Sequence, residues 1–147
     1  MIFRKGIGAI ILNPEGKIIA FQRNDYKSNW QSPEGGLEDG ETELEGIYRE
    51  LNEEVGINKK DVILLNQTKN FLKYVFTHKN KYGQDGQEKK FFLFKLKDNN
   101  FKFIFDNKKD EIEFCNSKIV SGKELIELVP PFKKDFYKEI LTEFGLL

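Results

Sequence analysis

Apolar residues alternate with a period near two in several stretches of this chain and recur at spacings of three and four in others, so it reads as strands interleaved with helices. Residues 6–12 and 17–23 are β-branched runs around Asn13-Pro14-Glu15-Gly16, a hairpin pattern. Residues 25–32 read as a polar loop carrying Trp30. Leu44, Ile47, Leu51 and Val55 then form one apolar helical stripe. Thr42 and Glu45 make the T-x-x-E capping box that starts it, and Gly56 is a natural stop. Gly46 interrupts this helix at a cost of about 1 kcal/mol relative to Ala. It lies one turn before Glu50, where it leaves room for a loop or ligand to approach.

Beyond the helix, residues 62–67, 71–76, 89–97 and 111–120 are strand-like, 77–87 form a polar, Gly-containing loop, and 101–105 read as a short strand or ordered edge. Residues 122–128 suggest a short helix. A terminal helix runs from about Lys133 with Phe136, Tyr137, Ile140, Leu141 and Phe144 on its apolar side. Mixed strands with helices before and after predict an α/β fold, an α/β/α sandwich with a mixed β-sheet, in one domain over residues 1–147.

Composition supports a packed core without covalent staples, because aromatics make up 14% of the chain and 14 of them are Phe. Cys115 is alone, which excludes an internal disulfide and fits a reducing compartment. The apolar start is too short for a secretory signal, and no stretch approaches ~20 apolar residues, so a cytoplasmic protein with no membrane span is expected. Formal net charge is zero, but residues 34–54 hold nine acids against Arg49, a net −8 balanced by +8 on the remaining chain. An acidic patch in a basic body suits a polyphosphate or nucleic-acid end met by Lys and Arg. Simple charge compensation for solubility is the plainer explanation.

The acidic patch becomes informative through its spacing. Glu50, Glu53 and Glu54 stand at i, i+3 and i+4, which places them on one helical face. Two unit charges at ~5 Å and an effective dielectric of ~20 repel by roughly 3 kcal/mol. Such a cluster is costly unless a cation holds it, and clustered hard oxygens suit Mg²⁺ or Mn²⁺. A solvated acidic helix face is the alternative.

The surrounding residues decide between these. Gly35, Glu41, Arg49, Glu50, Leu51, Glu53, Glu54, Gly56 and Ile57 match the whole pattern G-x5-E-x7-R-E-U-x-E-E-x-G-U, where U is apolar. This segment resembles the Nudix box, the signature of hydrolases that cleave a nucleoside diphosphate linked to another group. Trp30-Gln31-x-Pro33, Thr68-x-Asn70-Phe71, Gly86-Gln87 and Pro131-Phe132-Lys133-Lys134 extend the likeness over nearly the whole chain. They resemble the branch that holds bacterial RNA 5′-pyrophosphohydrolases and dinucleoside polyphosphate hydrolases.

The resemblance implies a Nudix-type sandwich and a site. Glu50, Glu53 and Glu54 would hold Mg²⁺ or Mn²⁺ with the Gly35 carbonyl, while Glu41 and Arg49 orient the carboxylates. Glu111, in Lys109-Asp110-Glu111-Ile112, would be an added ligand or base, with Glu113 on the same face as its rival. Arg4, Arg23, Lys133 and Gln87 would meet phosphates. Phe132 would stack on a base and Tyr74 would contact substrate; core packing is the alternative for both aromatics. His78, in a polar loop, reads as exposed.

Two departures stand at the entrance. Ser32 replaces the usual bulky apolar residue between Gln and Pro, and Glu34 replaces the usual Gln before the glycines. The leading expectation is a pyrophosphohydrolase of RNA 5′ ends. A diadenosine tetraphosphate hydrolase is the nearer rival and a non-catalytic Nudix-like binding module the further one. No membrane and no obligate protein partner are expected.

Overall fold

The structure is a computed structural model and describes residues 1–108 and 110–147. Lys109, in the segment read as holding Glu111, lies outside the described residues. In chain order the elements are β1 (Phe3–Leu12), β2 (Ile18–Arg23), β3 (Trp30–Gln31), β4 (Glu34–Gly36), α1 (Glu43–Val55), β5 (Val62–Gln67), β6 (Leu72–Val75), β7 (Gly86–Leu96), β8 (Phe114–Val120), α2 (Gly122–Leu128) and α3 (Lys134–Glu143). The main sheet runs β3-β2-β1-β7-β5, with β4 on β1, β6 on β7 and β8 on β2. β1 and β7 pair in parallel and the other described pairs are antiparallel, so the sheet is mixed.

β1 is central, and its run of buried residues from Gly6 to Leu12 is what a strand covered on both faces requires. One face packs Ile7, Ala9, Ile11, Phe92 and Phe94 under Ile47, Leu51 and Val55 of α1. The other packs Ile10, Leu12, Phe91 and Leu93 under Leu125 of α2 and Phe136, Tyr137, Ile140 and Leu141 of α3. Helices on both faces make the α/β/α sandwich that the patterning predicts.

α1 has the expected ends. Thr42 Oγ1 accepts from Glu45 N at 3.1 Å and Glu45 Oε1 accepts from Thr42 N at 2.9 Å, closing the capping box. Gly56 takes a left-handed φ of 75°, where a side chain would be strained. Leu44 departs from the predicted stripe: it is exposed, and the buried face is completed by Gly46 instead. A Cβ at Gly46 would press on Leu37 and Glu41, so the glycine admits the loop before the helix. Replacing Thr42 by Ala should lower stability by about 1 kcal/mol, read from a denaturant melt. An unchanged midpoint would show that the box contributes nothing.

Other boundaries shift for local reasons. Trp30 and Gln31 are not in a loop but pair with Gln22 and Phe21 as a two-residue strand. β7 begins at Gly86, three residues before the predicted start, because β1 and β6 both supply backbone partners there. Residues 101–105 form no strand. Phe101, Phe103 and Phe105 instead pack on the α1-side core, with the Phe103 ring edge-on to Phe21 at 5.0 Å. β8 starts at Phe114, not 111. In the 77–85 loop, Asn80 Oδ1 accepts from Tyr82 N and Gln84 N, and Asp85 Oδ2 accepts from Ile2 N. Cys115 is half-buried in β8, and among the described residues no helix is long and apolar enough to cross a membrane.

Candidate functional site

α1 delivers the acidic face at the point where β4 passes it. A Cβ on Gly35 would overlap the Glu50 carboxylate, so only glycine lets the β4 backbone lie against it. Glu50 and Glu54 are buried and Glu53 is half-buried. Burial first, and the Glu50 carboxylate second, push Glu54 well above the usual carboxylate range. Glu54 Oε2 has no hydrogen-bond partner among the described residues.

Arg49 braces this face. Its Nε and Nη2 donate to the two oxygens of Glu41 at 2.8 and 2.7 Å, a bidentate pair. Nη2 also donates to the Gly36 carbonyl at 2.9 Å, and Nη1 donates to Glu50 at 2.8 Å and Glu53 at 3.3 Å. Glu41 also accepts from Glu38 N at 2.9 Å, which ties the preceding loop to the helix. The bond to Arg49 draws the Glu41 carboxyl below its ordinary range, and bonding to Glu41 likewise holds Arg49 charged.

The opposite wall is basic and comes from the sheet. Arg4 of β1 pairs with Gln87 of β7, which pairs with Tyr74 of β6, so the three lie in one row across the strands. A Cβ on Gly36 would overlap the Arg4 guanidinium, so this glycine too makes room for a functional group. Arg23 enters from β2, held by Asp25 at 2.8 Å and Glu113 at 2.7 Å. Its hydrogen bond to Asp25 raises its pKa and keeps it cationic despite burial. Together these groups enclose a cavity of about 420 Å³ whose lining is overwhelmingly polar and includes Glu50, Glu53, Glu54, Gly35, Arg4, Arg23, Gln87 and Tyr74.

The remaining predicted positions divide. Lys133 borders the cavity but is buried, its ammonium 3.2 Å from Glu34. Burial lowers its pKa and Glu34 only partly offsets that. Tyr74 is a core residue with one edge on the cavity. Phe132 is 43% exposed and stands behind Tyr74, ring centroids 5.7 Å apart, outside the described lining. Glu111 reaches the rim with a side chain 70% exposed, facing Lys108 at 3.9 Å. Glu113 is closer in, paired with Arg23, and adds to the charge that raises Glu54. His78 is exposed.

Sequence reasoning missed Lys89 and Tyr137 and treated Glu34 only as a departure. Lys89 Nζ donates to Glu34 Oε1 at 2.9 Å, and the Tyr137 hydroxyl donates to Glu34 Oε2 at 2.6 Å. The strand period offered a signal for Lys89, since it lies two residues from Gln87 and so on the same face.

Among the described residues no three carboxyl groups converge as a ready-made cage, because Glu50 and Glu53 lean on Arg49. Yet the donors are hard oxygens, Glu54 holds an unpartnered oxygen, and Mg²⁺ is commonly bound by one or two carboxylates plus substrate phosphates. The residues fit such an ion.

A mixed sheet with helices packed on both faces, with an acidic helix facing a basic sheet wall, defines an α/β/α sandwich with a charged cavity where the sheet meets α1. A family model described as the NUDIX domain matches residues 2–142, and the chain belongs to the Nudix family. It is 38% identical to an RNA pyrophosphohydrolase of Zymomonas mobilis over 97% of this chain and 95% of that protein. It is 34% identical to an RNA pyrophosphohydrolase of Helicobacter pylori, over 97% and 93%. Its fold is similar to the Ap4A hydrolase of C. elegans in a binary complex, with a TM-score of 0.71, 20% identity and coverage of 97% and 98%. It is also similar to the E. coli dihydroneopterin triphosphate pyrophosphohydrolase, with a TM-score of 0.73, 19% identity and coverage of 97% and 99%. At these identities the structural likeness concerns the fold alone.

Proposed function

We propose that this protein is a divalent-metal-dependent pyrophosphohydrolase of RNA 5′ ends, releasing pyrophosphate from a triphosphate end or phosphate from a diphosphate end. The observation that carries the reading is one cavity with the carboxylates of α1 on one wall and Arg4 and Arg23 on the other. A phosphoanhydride needs both: a cation-binding wall and a wall that neutralises phosphoryl oxygens. Relatives at 33–38% identity over nearly the full chain are RNA pyrophosphohydrolases, which supports RNA as the substrate.

Glu50, Glu53, Glu54 and the Gly35 carbonyl would hold Mg²⁺, with Mn²⁺ as the alternative. Such an ion, when bound, neutralises phosphoryl oxygens and lowers the pKa of a bound water. The chain's own residues do the rest. Arg49, fixed by Glu41, aims the Glu50 and Glu53 carboxylates and cannot itself take a proton. Arg4 and Arg23 bind phosphate oxygens, and Gln87 offers an amide between Arg4 and Tyr74. Glu111 at the rim and Glu113 further in, paired with Arg23, are the carboxylates placed to accept a proton or extend the ligand set. The exposed face of Phe132 is available to stack on a base, a contact worth ~1–3 kcal/mol.

Hydrolysis of diadenosine tetraphosphate is the second reading, supported by the same opposition of carboxylates to Arg4 and Arg23 across the cavity. Equal amounts of 5′-triphosphate RNA and diadenosine tetraphosphate, each assayed with Mg²⁺, should show the RNA end cleaved with the higher kcat/KM. Efficient cleavage of the dinucleotide with inert RNA would reverse the substrate assignment, and cleavage of neither would favour a binding module.

A further inference from the structure

Gln31 is a buried polar side chain on the cavity wall that the protein itself leaves unpartnered. The residue is 4% exposed, borders the cavity and pairs its backbone with Phe21, yet its amide neither donates to nor accepts from any described residue. A buried amide in that state costs stability unless something else completes it. Ser32 Oγ, next in the chain, is also unpartnered, but it is sealed in the interior and does not line the cavity. A ligand in the cavity can therefore reach Gln31 and not Ser32.

The backbone that presents the amide is pinned from several sides. β3 holds Gln31 against β2, the Ser32 N–H donates to the Tyr137 hydroxyl at 3.0 Å, and the Ala9 N–H donates to the Pro33 carbonyl at 2.9 Å. Phe21, opposite Gln31, stands two residues before Arg23, so the strand period puts Gln31 and Arg23 on one face. Arg23 is heavily engaged. Its Nε and Nη2 donate to Asp25 at 3.0 and 2.8 Å, and its Nη1 donates to Glu113 at 2.7 Å. Two carboxylates share its one positive charge, so an anion on this side of the cavity meets a cation that is already partly satisfied. Acceptors are abundant there, with Glu54 and Glu113 both on the lining. A donor free of any carboxylate is the group in short supply, and the Gln31 amide provides one without the burial cost of a further charge.

We propose that Gln31 is a substrate-contact residue whose amide NH₂ donates to a phosphoryl oxygen of the bound phosphate chain, beside Arg23. The proposal rests on the phosphate-binding part of the reading above. It also explains why a buried amide is kept without a partner: the bond is made only when the cavity is filled.

The test uses the full chain, with a thermal melt in the absence of ligand and calorimetric titration by inorganic pyrophosphate in the presence of Mg²⁺. Gln31→Met keeps the side-chain length and removes both hydrogen-bonding groups. Its melting temperature should be unchanged or higher by up to about 4 °C, because no bond within the protein is lost. Its pyrophosphate affinity should fall by about 10–100-fold, the usual effect of losing a hydrogen bond to a charged group. Gln31→Glu, assayed at about pH 8 where a carboxyl group is normally ionised, keeps the shape and the acceptors but loses the NH₂. It should weaken pyrophosphate by at least the same factor. Affinity within about twofold of the starting protein in either variant overturns the proposal. So does a Gln31→Met protein that melts more than about 4 °C lower or fails to fold, since the amide would then be supporting the structure. If the unsubstituted protein binds no pyrophosphate, the phosphate-binding reading itself falls, whereas binding that Gln31→Met leaves untouched removes this contact alone.

Discussion

Glu50→Gln should reduce cleavage of 5′-triphosphate RNA by at least ~10³-fold, at the upper end of what losing one preorganised electrostatic group costs, while leaving the fold intact. Glu50 is buried against the Gly35 backbone, and its Oε1 accepts from Arg49 at 2.8 Å. The amide oxygen of Gln can keep that bond, so the helix retains its brace. What disappears is the negative charge beside Glu54, whose buried carboxyl is pushed upward first by desolvation and next by Glu50. A Gln amide could also donate toward the unpartnered Glu54 Oε2. In metal-free protein the variant should therefore melt at the same temperature or higher, by an amount corresponding to about 1 kcal/mol. Steady-state rates with Mg²⁺ and a melt without it check both halves. Activity within tenfold of the starting protein would remove Glu50 from the site.

Arg49→Lys should lower kcat by about 10–100-fold, the usual effect of losing a group that orients metal-binding side chains. The guanidinium serves Glu41, Glu50, Glu53 and the Gly36 carbonyl together, through donors that point in fixed directions. A lysine ammonium is a single point on a flexible stem and cannot span that set. Glu41 would lose its bidentate partner, so stability should also fall, by about 1–3 kcal/mol. Kinetics and a denaturant melt read the two effects, and a kcat within twofold would show that Arg49 is a surface residue of the helix.

The parts of the fold legible from sequence were those written by local rules. The capping box, the αL glycine and the i, i+3, i+4 carboxylates all act within a few residues of one another, so α1 and its acidic face could be read directly. The Arg49–Glu41 pair, eight residues apart, came with the same segment. The Glu34 cluster was not legible because its partners lie 55, 99 and 103 residues away, on β7, the turn before α3, and α3 itself. No local pattern announces that these elements meet.

Misreadings have similar causes. Phe101, Phe103 and Phe105 alternate like a strand, but alternation reports only which side faces the core. Ile104 N donates to Val55 O at the end of α1, not to a neighbouring strand. Trp30-Gln31 is too short to generate a period at all. Glu111 and Glu113 could not be separated because both precede the regular strand, which begins at Phe114. Only the pairing of Glu113 with Arg23 distinguishes them, leaving Glu111 at the rim.

The most direct test of the central claim is a single time course: a short RNA bearing a 5′-triphosphate, incubated with the purified protein and Mg²⁺, with the RNA 5′ end and the released phosphate species followed together. The account predicts 5′-monophosphate RNA accompanied by pyrophosphate, or by phosphate in two steps, abolished by chelator and by Glu50→Gln. An RNA end that stays triphosphorylated with Mg²⁺ and with Mn²⁺, or cleavage that Glu50→Gln and chelator leave untouched, would contradict it.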